Sequence, residues 1–177
     1  RGFVEIVWTV DPLRAANARL NFEKLGAFAD RYEENRYGEG FAAGLYGGLP
    51  TDRLHVTWPI TDPRVHDRLR GRYTPLTPAD VEHLRPFDPH ATGQTRALVH
   101  LPVDIDLLVA RDPKAALRWR LSLRETLQRV FAAGFAITGF VPGVDVEQGS
   151  AAYVIEKDPA WAADRGRSRM GQVRSRS

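Results

Sequence analysis

The sequence predicts an α/β or α+β domain built on one sheet. Short stretches rich in β-branched and aromatic residues alternate with segments whose apolar residues recur at helical spacing. An Asp-Pro pair opens two of the helical segments, at positions 11–12 and 112–113, and a glycine follows the end of each. Strands mixed with helices in this way are typical of a sheet with helices packed on its faces.

The first 60 residues contain three predicted strands and one predicted helix. Residues 3–10 are expected to form a strand inside the sheet, followed by a helix over residues 12–25. Residues 28–37 and 53–60 are predicted as two further strands, with a glycine-rich loop between them that we interpret as a substrate lid. The side chains expected to pack the helix on the sheet are Ala15, Ala18, Phe22 and Leu25.

The remainder of the chain divides into three parts. Residues 61–96 carry five prolines and are predicted to form an irregular connection. Residues 97–157 contain a strand, a short helix, a long helix over about 112–134, and a hairpin of strands at 135–141 and 151–156. Residues 158–177 are expected to be a disordered tail. The predicted buried stripe of the long helix is Ala116, Trp119, Leu123, Leu127 and Val130; its predicted outer face is Arg118, Arg124, Glu125 and Arg129.

Composition excludes several functional classes. The 177 residues are 43% hydrophobic and include no cysteine, which rules out disulfides, a thiolate nucleophile and a cysteine-ligated zinc. The five histidines have no metal-like spacing, so no metal is expected. There is neither a signal peptide nor an apolar run of roughly 20 residues, and a cytoplasmic protein without a membrane anchor is expected.

The net charge of +3 comes from the tail. After Trp161 the chain has five arginines and one acid, and the rest of the chain is nearly balanced. This distribution argues against a nucleic-acid-binding surface on the folded body. A solvated tail and a tail that binds nucleic acid both remain open.

Two asparagines carry the first functional indication. Asn17 and Asn21 lie one helical turn apart, beside Lys24. Asparagine is a poor helix-interior residue, so the pair indicates either a polar ligand at this face or two solvated side chains.

The residues that follow resemble a known family. Asn21-Phe-Glu-Lys-Leu-Gly-Ala27 is similar to the Leu-Tyr-Glu-Lys-Leu-Gly-Phe signature of the GNAT superfamily of N-acetyltransferases. Residues 8–27, 49–54 and 119–125 also look like an uncharacterised branch of predicted GNAT acetyltransferases that has a C-terminal extension. In this resemblance, residues 1–60 are the C-terminal part of the acyltransferase core and residues 97–157 are the extension.

The resemblance implies a mixed, splayed sheet and a reaction. Acetyl-CoA lies between two central parallel strands, and its acetyl group passes to an amine, here a small molecule or an amino acid, without a covalent enzyme intermediate. Asn17, Asn21 and Lys24 would contact acetyl-CoA. The rival hypothesis is a non-catalytic binding domain that keeps half of the fold.

Two departures from the family pattern matter. The pyrophosphate-binding loop of the family is absent from the 177 residues, so we expect it before Arg1 and expect the fragment alone to be inactive. We also expect one exposed sheet edge that could self-associate, for example as a homodimer. Phe22 occupies the position of the tyrosine that protonates the leaving thiolate.

The candidate catalytic residues lie on the following strands. Tyr37 is the candidate acid, with Tyr32 as a second possibility. Asp52, Arg53 and His55, at the entry to the next strand, are candidates for binding or deprotonating the amine. The alternatives are packing aromatics for the tyrosines, a turn residue for Asp52 and a surface residue for His55.

Overall fold

Six strands form one sheet in the computed structural model, which describes residues 2–38, 48–145 and 149–158. The sheet order is β1-β3-β2-β5-β6-β4, and every pairing between these strands is antiparallel. The strands are β1 (Ile6–Val10), β2 (Phe28–Glu33), β3 (Arg53–Trp58), β4 (Arg96–Pro102), β5 (Phe135–Asp145) and β6 (Ser150–Lys157). The predicted α/β (α+β) class is confirmed only in its coarse form: the resemblance implied a mixed sheet, whereas the described strands pair only antiparallel. The predicted hairpin is the β5–β6 pair.

Five α-helices accompany the sheet in the described residues. They are α1 (Ala15–Ala18), α2 (Pro63–Leu69), α3 (Pro78–Val81), α4 (Ile105–Arg111) and α5 (Pro113–Ala132). α1 continues directly into a π-helical segment, Arg19–Lys24. Asp112 caps α5 as predicted, because its side chain accepts a hydrogen bond from the backbone N–H of Ala115.

The first helix begins later than the sequence predicts. Asp11 is not its N-cap: one carboxylate oxygen accepts from the N–H of Leu13 and the other binds Arg120. The cap position belongs to Arg14, whose side chain makes no capping hydrogen bond. The helix ends where predicted, at Gly26, which has a positive φ of 69°.

The main core lies on one face of the sheet, beneath α1, the π-helical segment and α5. Phe22 and Ala18 are buried there, as are four of the five predicted stripe residues of α5. Alternate residues of β4 and β6 face the other way and form a smaller core with Val81 of α3. The two faces therefore have separate apolar clusters.

β1 lies at an edge of the sheet, which corrects the prediction of a strand inside it. Its partner is β3, and the structure shows no strand on its other side among the described residues. Ile6 and Val7 remain 45% and 53% exposed. The apolar composition of residues 3–10 therefore predicted more burial than these side chains have in the structure.

The sheet consists of two three-stranded halves. Residues 2–60 supply β1, β3 and β2, and residues 96–157 supply β4, β5 and β6. The halves meet where Ala29 of β2 pairs with Ile137 of β5. Helix α5 contacts β2, β4 and β5, so it spans both halves.

Three of the sequence-based expectations concern residues that the structure does not describe. The lid hypothesis falls largely on residues 39–47, and the predicted tail, apart from Asp158, on residues 159–177; both segments lie outside the described residues. A parallel strand opposite β1 is likewise not among them. In the described part of the chain, no helix is long and apolar enough to cross a bilayer.

Candidate functional site

Strand register assembles a polar surface on the face of β1-β3-β2 opposite the main core. Thr9 of β1 and Arg31 of β2 both lie directly across from His55 of β3, and Glu33 lies across from Arg53. Directly opposed residues in antiparallel strands point to the same face. We call this set, together with the adjacent Tyr37, the polar face: Thr9, Arg31, Glu33, Tyr37, Arg53 and His55.

His55 is held at both ring nitrogens. Its Nε2 lies 2.7 Å from Oε2 of Glu33, and its Nδ1 lies 2.5 Å from Nη2 of Arg31. Because a guanidinium can only donate, Nδ1 is the accepting nitrogen and Nε2–H donates to Glu33. The hydrogen bond with His55 is the main reason that the pKa of Glu33 is lowered.

This geometry resembles the pairing of a catalytic histidine with an orienting carboxylate. Glu33 fixes the tautomer of His55 and its ring plane, and it would stabilise the imidazolium formed on proton uptake. The nitrogen left to take a proton is Nδ1, which the exposed side chain of Arg31 covers. A substrate would have to displace Arg31 to reach it.

Tyr37 is more acidic than an ordinary tyrosine. A hydrogen bond with Arg53 lowers its pKa, with smaller contributions from the charge of Arg36 and a hydrogen bond with Thr9. The Arg53 guanidinium carbon lies 5.0 Å from the ring centroid, and Tyr37 is 45% exposed. A phenol in this position can release its proton more readily than one in water.

Asp52 is in a different environment. It is fully buried and accepts four hydrogen bonds: two from Arg124 at 2.8 and 2.9 Å, one from the Tyr32 hydroxyl at 2.7 Å and one from the Asn35 N–H at 2.9 Å. Burial opposes its charge, but these donors outweigh burial and lower its pKa. An aspartate with every lone pair occupied is suited to holding structure, not to moving protons.

The acid role also does not suit Tyr32. Burial raises its pKa well above the ordinary value, and its hydroxyl is committed to Asp52. Tyr37 is therefore the tyrosine of the pair whose environment favours proton release.

A second buried carboxylate lies between two arginines. Oδ2 of Asp11 is 2.8 Å from Nη2 of Arg120 and 3.7 Å from Nη1 of Arg53. Burial disfavours the charge on Arg120, yet the carboxylate of Asp11 more than compensates and raises its pKa. The Asp11–Arg120 pair connects the end of β1 to α5, and Asp11 also forms the longer ion pair with Arg53.

The three predicted cofactor contacts have different environments. Asn21 is 3% exposed; its carbonyl oxygen accepts from the indole N–H of Trp8 and its amide donates to the carbonyl of Asn17. Asn17 is half-buried and Lys24 is exposed. Asn21 therefore pins the π-helical segment to β1.

Phe22 is fully buried, where the resemblance would place a catalytic side chain. Its ring packs edge-on against Tyr153 at a centroid distance of 5.6 Å. Tyr153 cannot substitute as an acid there, because burial raises its pKa and its hydroxyl donates to the carbonyl of Pro12 at 2.7 Å. This aromatic pair belongs to the core.

Sequence reasoning named Tyr37, Arg53 and His55 as candidates but did not name Arg31 and Glu33, which the structure places beside His55. The alternation of Arg31, Tyr32 and Glu33 in a strand was available as a signal that Arg31 and Glu33 share a face. That this face continues onto β3 depends on the strand order, which residue patterns alone do not supply. The residues described in the structure include no cluster of three or more histidine or acidic side chains that could hold a metal ion.

The fold and the polar face define an α/β domain with a six-stranded antiparallel sheet and a histidine–glutamate pair on the sheet face opposite the main core. No protein-family model, no curated protein and no solved structure matches the chain.

Proposed function

We propose that the chain is part of an acyltransferase of the N-acetyltransferase type, in which an acetyl group passes from acetyl-CoA to a small amine. The observation that carries this proposal is the juxtaposition of an oriented histidine and an acidic tyrosine around Thr9. His55 lies across from Thr9 in the strand register, and Tyr37 hydrogen-bonds with the Thr9 side chain. A base and an acid on one surface are what aminolysis of a thioester requires.

The proposed reaction assigns one proton to each group. An ammonium substrate gives a proton to Nδ1 of His55 after displacing Arg31, and the neutral amine attacks the thioester carbonyl carbon. A C–N bond forms and the C–S bond breaks. Tyr37 gives its proton to the departing thiolate, which becomes the free thiol of CoA. The acylated nitrogen then loses its surplus proton to the Tyr37 phenolate, which leaves a neutral amide and restores the tyrosine. Glu33 acts on His55 alone, as the group that orients its ring.

Local structure around the family signature supports the same proposal. The helix that carries the signature follows one strand and precedes another, as in the GNAT family. Among the described residues, β1 has no partner strand on its outer side, so a neighbouring strand could be added there. Asn17 and Lys24 remain candidate cofactor contacts, whereas Asn21 positions the helix.

The test is acetyl transfer by the full natural reading frame that contains these residues. CoA release from acetyl-CoA is measured with a thiol reagent against a panel of small amines and amino acids. Tyr37→Phe and His55→Gln are each expected to lower kcat by about 100-fold or more, with little change in KM for acetyl-CoA. His90→Gln, at an exposed position outside both the polar face and the pockets, is the matched control.

Two results would overturn the proposal. One is the absence of CoA release with every amine; the other is full activity in both variants. Binding of acetyl-CoA or of an amine without turnover would favour the alternative, a binding domain with a GNAT-like half-fold.

A further inference from the structure

A cleft of about 230 Å³ lies between the two halves of the molecule, apart from the polar face. Its walls come from the π-helical segment, α2, residues 73–76 and strands β4, β5 and β6. The charged and aromatic residues that matter here are Glu23, Arg64, Arg68, Tyr73, Arg96 and Glu156. None of them belongs to the polar face, so the inference below is independent of the proposed acyl transfer.

Glu23 is a buried carboxylate with incomplete hydrogen bonding. It is 5% exposed, and its Oε2 has no hydrogen-bond partner. The nearest cation is the exposed Arg19, whose Nε donates a long hydrogen bond of 3.4 Å to Oε1 and lies 3.3 Å from Oε2 without a hydrogen bond to it. A buried carboxylate without good donors is costly, so this side of the cleft favours a cationic group.

Arg68 is the complementary cation. Its buried Nε has no hydrogen-bond partner, and in the part of the chain that the structure describes its guanidinium forms no ion pair. It stacks on Tyr73 at 5.1 Å, and burial lowers its pKa. This side of the cleft favours an anionic group.

The other arginines of the cleft already have acidic partners. Arg64 pairs with Asp62 at 2.8 Å and Arg96 pairs with Glu156 at 3.1 Å. The groups that lack a strong partner are therefore one anion and one cation, Glu23 and Arg68.

The backbone is shaped to admit Arg68. A Cβ at Gly26 would lie 2.5 Å from the Nε and 2.6 Å from the Cδ of Arg68, so the guanidinium stem crosses directly over this glycine. The residue that ends the helix also makes room for the cation of the cleft.

We propose that the cleft binds a small zwitterion, an α-amino acid, with its ammonium group on Glu23 and its carboxylate on Arg68. Charge-assisted hydrogen bonds of both signs would complete the two side chains. A cleft of about 230 Å³ is smaller than the roughly 300–1,000 Å³ typical of drug-sized ligands, which fits a ligand the size of an amino acid. Tyr73 and Leu76 line the cleft and offer apolar contacts for the ligand side chain.

The test is an NMR titration of the 177-residue protein with L-leucine, glycine, L-glutamate and L-lysine. The Nε–H signal of Arg68 and the backbone amides of Gly26 and Gly139 are followed. We expect saturable shifts of these signals with a Kd on the order of 1 mM for at least one amino acid. For that amino acid, the N-acetyl derivative, which lacks the ammonium group, and the amide, which lacks the carboxylate, should each bind at least about tenfold more weakly.

Two variants assign each contact. Glu23→Gln should remove the preference for the amino acid over its N-acetyl derivative, and Arg68→Gln should remove the preference over its amide. Arg72→Gln, which removes an exposed pair with Asp67 outside the cleft, should bind like the wild type. If Glu23→Gln fails to fold, Arg68→Gln and the two derivatives still decide the question.

Three outcomes would overturn the inference. They are no saturable shift with any of the four amino acids, equal binding of the amino acid and both derivatives, and unchanged affinity in both cleft variants. Shifts confined to His55 and Tyr37 would also overturn it, and would instead place the ligand on the polar face of the proposed acyltransferase.

Discussion

Asp52 and Arg124 form a two-point ion pair that connects the start of β3 to the middle of α5. The two hydrogen bonds are 2.8 and 2.9 Å long, and Asp52 is fully buried. Removing Arg124 would leave the buried Asp52 carboxylate with only the neutral donors Tyr32 and Asn35. This pair should therefore contribute to the free energy of unfolding and to its dependence on pH.

Arg124→Ala should destabilise the fold by about 3 kcal/mol, because it leaves the Asp52 carboxylate buried without its main partner. Urea unfolding followed by circular dichroism measures the change. Arg129→Ala, on the same helix, removes the exposed pair with Glu125 and should change stability by less than about 0.5 kcal/mol. Equal effects of the two substitutions would contradict the buried-pair interpretation.

Asp52→Asn should change the response of stability to acid. The folded-state pKa of Asp52 is below its ordinary 3.8, so its contribution is complete above pH 3.8 and is lost as pH falls through the folded pKa. The wild type should therefore exceed the variant in stability at neutral pH, and the gap should narrow below pH 3.8. Denaturant midpoints between pH 2 and 7 test this; a constant gap would argue against it.

The tyrosines should titrate in separate groups. Tyr37 is expected to ionise below the ordinary value of 10.0, whereas Tyr32 and Tyr153 should ionise above it. Absorbance at the phenolate band against pH resolves the groups, and Tyr37→Phe should remove the earliest component. Retention of that component would assign the acidic phenol to another tyrosine.

Gly26→Ala should cost more than Gly71→Ala. Both glycines have a positive φ, of 69° and 67°, so the backbone strain is matched. A Cβ at Gly71 meets nothing within 4 Å, whereas one at Gly26 overlaps Arg68. We expect about 1 kcal/mol of loss at Gly71 and a clearly larger loss at Gly26 by thermal unfolding. Similar losses would mean that Arg68 moves aside freely.

Tyr153→Phe should destabilise the protein by about 1–3 kcal/mol, since it leaves the Pro12 carbonyl buried without its donor. The ring and its contacts with Phe22 and Phe140 are kept, so the change reports the hydroxyl alone. Tyr73→Phe, at a half-buried position, provides the comparison. Equal stability of Tyr153→Phe and the wild type would indicate that water replaces the lost donor.

The spacing of apolar residues and the Asp-Pro and glycine signals at helix ends predicted most elements of the fold, because both are local properties of the sequence. The helix opened at Asp112-Pro113 and the β5–β6 hairpin are confirmed. Arg120 was missed although its position carried a signal: it lies four residues after Ala116 and three before Leu123, within the buried stripe. Its charge argued for exposure, and only the distant Asp11 makes burial possible.

The candidate site was less predictable because its residues are brought together by pairing between strands. Tyr37 and His55 were proposed as site residues from their residue types. Asp52 was proposed with them because it lies three residues before His55 in the sequence. Residues on either side of a strand start can face opposite directions, and Asp52 points toward α5 while His55 points away from it. The family pattern also did not anticipate Phe22 packing against the extension.

Only one residue pair, Ala29 and Ile137, joins β2 to β5 in the described sheet, so the backbone pairing between the two halves is short. Opening this pairing would break few backbone hydrogen bonds and leave both three-stranded ladders intact. The alignment of the halves therefore depends on packing across the seam, by α5 and by the π-helical segment against β5. Amides at this seam should exchange with solvent as readily as those at a sheet margin, although they lie near the middle of the molecule.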